Sequence, residues 1–378
     1  MSSKVKSYLK TLPKRYFIDA FTGMAQGLFV TLIAGTIVKT IGEKIGATTT
    51  VGQILILLGQ IASILTGAGI GAGMANYLKA PKLVVFSAIV AGFMGAFAEQ
   101  ILGAAITYNS ISVSFASSIS NVTNLIAKGL PGNPISAYVC ALMAIELGTL
   151  VQGKTKLDIL LVPLTCIFSA FIGCIVSIPF IWLIKLLSEG IDVATGAMPF
   201  LMGIIIAVVM GILLTMPTSS AAIWVSIATG VNTYNMNLAG GAAVVGCACH
   251  MIGFAVASYR ENGFGGFIAQ GLGTSMLQIP NIMKKPIIML PMIISSAILG
   301  PVSTCLFKLL CGPSGGGMGT SGLVGVFGVI GVGGQDPLVM WLGIVLLMFI
   351  LPALLNLVIS EFMRKKNWIK FGDMKLPE

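Results

Sequence analysis

Between Asp192 and Arg260 the chain places no aspartate, glutamate, lysine or arginine. Roughly a quarter of the residues of a soluble domain are charged, whereas a helix crossing a bilayer needs only about 20 apolar residues. So long a charge-free run belongs in a membrane and holds more than one crossing. The same economy continues outside it: of 378 residues 56% are hydrophobic and 9% charged. Apolar stretches of spanning length recur from Phe17 to Phe362, with no room for a soluble domain between them. The expected fold class is an all-α integral membrane protein.

The net charge of +10 is a matter of topology. Its lysines and arginines are spread over loops and ends rather than gathered on one soluble face, so a nucleic-acid partner is not expected. The positive-inside rule places two basic ends in the cytoplasm: Lys4, Lys6, Lys10, Lys14 and Arg15 at the start, and Arg364, Lys365, Lys366, Lys370 and Lys375 in the tail. The first apolar run is too long for a signal peptide and no small-residue cleavage site follows, so a retained span is expected. Lys79 with Lys82, Lys154 with Lys156, and Lys284 with Lys285 mark further inside loops, which puts Lys39, Lys44, Lys185, Arg260 and Lys308 outside. Counting between them gives about ten spans.

Internal similarity divides these spans into two copies. "TGMAQGL" (22–28) resembles "TGAMPFL" (195–201), "IGAGMANYLK" (70–79) resembles "IGFAVASYRE" (252–261), and "KGLPGNP" (128–134) falls opposite "CGPSGGG" (311–317), in the same order. Five spans per copy make the repeats inverted. The expected organisation is a basic cytoplasmic amino terminus (1–16), a first repeat (17–190), a second repeat (191–362) and a cytoplasmic tail (363–378). "ATTTVGQ" (47–53) pairs with "PTSSAAI" (217–223) only if an insertion enters after Ile223. Val51 to Tyr77 therefore reads as one continuous helix, and its counterpart as a helix broken between a half starting at Ser219 and a longer part from Leu238. Two elements read as re-entrant loops, 129–148 and the glycine-rich 312–334. The alternative for the first is an ordinary span over Ile135 to Val151, with Tyr108 to Ala127 as an outer loop.

Inverted repeats, re-entrant loops and broken helices recur in secondary transporters, where unwound backbone supplies polar groups without burying a full charge. In "TMPTSSAA" (215–222) Pro217 ends one helix and Thr218, Ser219 or Ser220 caps the next, leaving amides toward a cavity or simply closing a turn. Asn133 before Pro134, and Thr320 with Ser321 in "GTSG", are similar polar tips. Glu146 stands in an apolar segment with no basic residue nearer in sequence than Lys154, either as a ligand-binding carboxylate or at the inner water boundary. Arg260, Glu261 and Asn262 form either a polar turn or an outer mouth. Gln270, Thr274, Gln278 and Asn281 follow at helical spacing and read as a polar stripe on one helix lining a route. "GCACHMIG" (246–253) is the one place where cysteine and histidine meet, but it lacks a second ligand pair. No metal, cofactor or disulfide framework is expected.

With "MIGFAVASYRENGFGGFIAQGLGTSMLQIPNI", "MPTSSAAI", "GGGMGTSGLVG" and "GMAQGLFVTLIAGTI", the chain resembles the IIC-like membrane subunits of the phosphoenolpyruvate-dependent sugar phosphotransferase system. Within that family it is similar to the toxin-regulator branch, of the perfringolysin O regulator kind. The resemblance runs over about residues 15 to 362. It implies a multi-pass permease of the bacterial cytoplasmic membrane, a homodimer, moving a small polar solute such as a sugar by alternating access. A separate cytoplasmic IIB subunit would carry the phosphoryl group, since His250 lies in a helix and makes a poor carrier; the chain by itself is not expected to be an enzyme. A membrane-embedded ligand sensor is the alternative, and the scarcity of paired carboxylates disfavours a cation channel.

Overall fold

A computed structural model describes residues 12, 14–107, 109–115, 122–124, 126, 131–216, 219–231 and 233–376. They form helices and one small hairpin, in two compact units, Met1–Leu187 and Ser188–Glu378. Among the described residues six helices are long and apolar enough to cross a membrane, or seven if one bent pair counts as a single span.

In the first unit α1 runs over Arg15–Gly46. Gly46 ends it with φ near 125°, a left-handed conformation that glycine adopts without a Cβ penalty. Thr49 then caps α2 (Thr50–Ile64) by accepting from the Gly52 amide at 3.1 Å. The expected continuous helix over Val51–Tyr77 is not what forms. α2 and α3 (Thr66–Tyr77) meet at an angle of 52°. Ser63 and Thr66 explain the break: their hydroxyls donate to the carbonyls of Gly59 and Ser63 and compete with the backbone ladder. α3 packs on α1 through glycine faces. A Cβ on Gly23 would lie 2.7 Å from the Gly73 carbonyl oxygen, and one on Gly27 2.1 Å from that of Gly69, so these GxxxG spacings serve contacts within the chain.

After α4 (Lys82–Ala96) and the short α5 (Ala98–Leu102) comes an antiparallel hairpin, β1 (Ala104–Ile106) with β2 (Ile111–Val113), in register Ala104 to Val113. α6 then spans Pro134–Val151 as one apolar helix long enough to cross. This supports the alternative of an ordinary span over Ile135 to Val151 and corrects the re-entrant loop expected over 129–148; much of Tyr108 to Ala127 lies outside the described residues. The alternating Ser and β-branched residues of "ISVS" suit a strand, and Asn133 followed by Pro134 starts a regular helix. The long α7 (Asp158–Ala197) contains the boundary between the units and exposes much apolar surface, Ile159 at 80% and Phe168 at 65%. Gly190 lies within it, and a Cβ added there would meet no atom within 4 Å. Gly190→Ala should therefore raise stability by about 0.5–1 kcal/mol, read as a higher unfolding midpoint in detergent; a drop would show a neighbour there.

The second unit is built around α10 (Tyr234–Ala257), 94% of whose apolar window is buried. Its neighbours include α8 (Pro199–Thr215), α13 (Pro286–Phe307) and α15 (Pro337–Lys365). Before α10 stands the half-helix α9 (Ser220–Ala228), and Thr233 caps α10 on the Met236 amide. The break expected between a half-helix from Ser219 and a longer part from Leu238 lies between these two helices. Between α13 and α15 the glycine-rich segment makes consecutive turns, then the short α14 (Val324–Ile330).

Candidate functional site

The turns preceding α14 are buried although they are not helical: Met318 is 4% exposed and Thr320 fully enclosed. Small residues make this fit. A Cβ on Gly316 would come 2.2 Å from Trp224 Nε1, and one on Gly317 2.5 Å from the Ser220 carbonyl. Ser220 in turn donates to the Gly317 carbonyl at 2.7 Å. Backbone of this kind survives inside a membrane protein only where protein or a polar cavity satisfies it.

A second irregular stretch meets it. After α11 (Tyr259–Ile268), which kinks at Gly263, come a π turn over Ala269–Gly273, an extended Thr274 (φ −158°), a 3-10 turn over Ser275–Gln278 and α12 (Ile279–Lys284). The polar stripe is thus not on one helix. Thr274 instead caps the 3-10 turn by accepting from the Met276 amide. Thr320 donates to the Gly271 carbonyl at 2.6 Å and Ser321 to that of Gly273 at 2.8 Å, so the two tips touch. Below them Thr215 lies 2.9 Å from His250 Nδ1 and 3.0 Å from the Ser275 hydroxyl. Thr215, His250 and Ser275 are all fully buried. None of the three was singled out as a site residue from sequence; a hydroxyl one residue from an already marked threonine was the only signal for Ser275.

The remaining stripe residues form a second cluster. Gln278 donates to Gln270 at 2.7 Å and Asn281 to Gln278 at 2.8 Å. Their other partners lie in the tail. Gln278 donates to the Met374 carbonyl and Asn281 to that of Lys375, both at 2.9 Å. Asn262 donates to Met374 at 2.9 Å and accepts from the Leu376 amide at 2.8 Å. Glu261, whose side chain is 1% exposed, accepts from the Gly372 and Met374 amides and pairs with Arg364 at 3.1 Å. Arg260 reaches Glu361 at 3.2 Å. Glu261 and the tail therefore share one side of the membrane. This corrects the placement of Arg260 to Asn262 at an outer mouth opposite a cytoplasmic tail: charge counting in loops missed that Arg364 and Glu261 neutralise each other.

Lys285 fastens this strap of tail from another side, 2.6 Å from Asp373. Burial pushes the Asp373 carboxyl upward, but the Lys285 ammonium and the Lys370 amide outweigh it and hold the group below its ordinary value. A carboxyl with a lowered folded-state pKa adds stability above its unfolded pKa and loses that stability as pH falls through the folded value. The tail should accordingly loosen only in acid below about 3.9, the ordinary aspartate value. Pepsin should cut the tail there faster than it cuts α10, and Asp373→Asn should weaken the strap already at neutral pH.

The other expected site residues have structural partners. Ser219 caps α9 by accepting from the Ala222 amide at 3.1 Å; Thr218 lies outside the described residues. In the first unit Asn133 accepts from the Ile135 amide and donates to Glu99, which Lys185 pairs at 2.8 Å. Glu146 is bound by Arg15 at 2.8 Å, which corrects its reading as an unpaired carboxylate: its cation comes from the far end of the unit.

The sequence model of the family described as Phosphotransferase system, EIIC matches residues 18–376. No curated protein matches the chain.

Proposed function

From the premise that the chain belongs to the EIIC family and is a multi-pass membrane permease component of the phosphotransferase system, we propose that it carries a sugar by alternating access through its second unit. One feature supports this reading more than any other: two non-helical tips of that unit meet through the buried Thr320–Gly271 bond and, at its exposed edge, the Ser321–Gly273 bond. Transporters hold substrate on such interrupted backbone, which offers amides and carbonyls that a helix ladder would consume. Thr215 and Ser275 would exchange their mutual hydrogen bond, and Thr320 and Ser321 their bonds to the Gly271 and Gly273 carbonyls, for substrate hydroxyls. The positive-inside rule supports a cytoplasmic tail, and a separate IIB subunit would deliver the phosphoryl group from that side of a bacterial membrane. A homodimer is the proposed assembly.

Uptake of radiolabelled sugars into cells or vesicles holding the protein tests this. Thr320→Ala and Ser275→Ala should each lower uptake about tenfold, the effect of roughly 1.4 kcal/mol, with the amount of protein in the membrane unchanged. Uptake untouched by both substitutions would remove the site, and no uptake of any sugar would remove the reading.

A further inference from the structure

Apart from the Lys285–Asp373 ion pair, the hydrogen bonds that the second unit's polar side chains make to residues 372–376 go to the main chain. Glu261 takes the amides of Gly372 and Met374, Asn262 takes the Leu376 amide and the Met374 carbonyl, and Gln278 and Asn281 take the carbonyls of Met374 and Lys375. Of the side chains past α15, Ile369 and Met374 are buried, in an apolar cluster with Phe254 and Ile282. A groove of carboxamides and a carboxylate that reads alternating donors and acceptors has no need of a peptide in particular. A row of sugar hydroxyls, each able to donate and accept, presents the same pattern. Arg364 Nε is a buried donor without a partner among the described residues, so the groove has capacity that the tail leaves unused. Beside it, Tyr259, Phe264 and Phe267 line a cavity of about 400 Å³ with Arg260 and Glu361 at its polar edge, an apolar face for the C–H side of a ring. The strap begins just past the end of α15, where Asn367 and then Gly372 take positive φ, so it can leave without unwinding a helix.

We propose that this groove, Glu261, Asn262, Gln278 and Asn281 with Arg364, is a binding site for a polyhydroxylated solute, and that the main chain of Gly372–Leu376 occupies it as a built-in stand-in. The inference rests on the sugar-permease reading and adds that tail and solute compete for one site.

Hydrogen exchange on the full-length protein in detergent tests it, with glucose, mannose, galactose, N-acetylglucosamine and mannitol as probes. The probe that raises the unfolding midpoint should speed exchange of the tail amides while slowing that of α12. Gly372→Pro, which removes one amide donor and forbids the positive φ, should tighten binding of the same probe. The expected gain is about tenfold, the factor by which a strap closed about 90% of the time lowers apparent affinity. A probe that binds while the tail stays protected, with Gly372→Pro unchanged in affinity, overturns the competition and leaves the permease standing. If no probe binds either protein, the proposal falls together with the sugar reading.

Discussion

Glu261→Ala is expected to lower the stability of the second unit by about 3–5 kcal/mol, the effect of removing one partner from a buried ion pair. The carboxylate is 1% exposed and the Arg364 side chain 11%, so water cannot replace what is lost. Arg364 would keep one bond, to the Ala257 carbonyl at 3.0 Å, and the Gly372 and Met374 amides would lose their acceptor. Glu261→Gln should fall between, since it keeps an acceptor for the amides and loses only the charge. The double variant Glu261→Ala with Arg364→Met should be more stable than the sum of the single changes, because no uncompensated cation remains. Unfolding midpoints of the purified proteins decide the matter. A Glu261→Ala protein as stable as the parent would mean that the tail is not clasped, and would remove the groove as well.

What the chain discloses in advance is what acts over a few residues. Asn133 with Pro134 and Ser219 before α9 are legible because a cap bonds amides two or three positions on. The membrane class is legible because burial in lipid needs a run of apolar side chains and little else. Pairings across the chain leave no such trace. Arg15 and Glu146 stand 131 positions apart, and Glu261 and Arg364 stand 103 apart; read locally, Glu146 has no cation near it, Glu261 has Arg260 beside it, and Arg15 and Arg364 are topology markers. The spacing of Gln270, Gln278 and Asn281 was informative in a different way. The three do associate, but Gly271, Gly273 and an extended Thr274 interrupt the helix that the spacing implied. The carboxamides meet by hydrogen-bonding one another and the tail, which periodicity does not describe. Thr215, whose hydroxyl joins His250 to Ser275, lies at the end of an apolar helix where a lone threonine usually bonds its own backbone, as this one also does to Gly211.

Gly27→Ala should be among the most damaging single-methyl additions in the first unit. A Cβ there would lie 2.1 Å from the Gly69 carbonyl oxygen and 2.3 Å from its carbon. Both are main-chain atoms of α3, so no side chain can rotate away and the helices must separate. Separation is opposed by the rest of the seam: a Cβ on Gly73 would be 2.2 Å from the Gly23 oxygen, and Thr31 already stands where a Cβ on Gly69 would go. Overpacking of a close interface costs about 1–3 kcal/mol when neighbours can adjust, and the upper end or beyond applies where backbone meets backbone. Gly27→Leu should leave little folded protein in the membrane. Gly190→Ala is the internal comparison, because it adds the same methyl where no atom lies within 4 Å. If both alanine variants unfold at the parent's midpoint, α1 and α3 are not held at this distance. If Gly27→Ala alone falls, the GxxxG seam binds α1 to α3 within one chain, and the small residues of this surface are not available to a second copy.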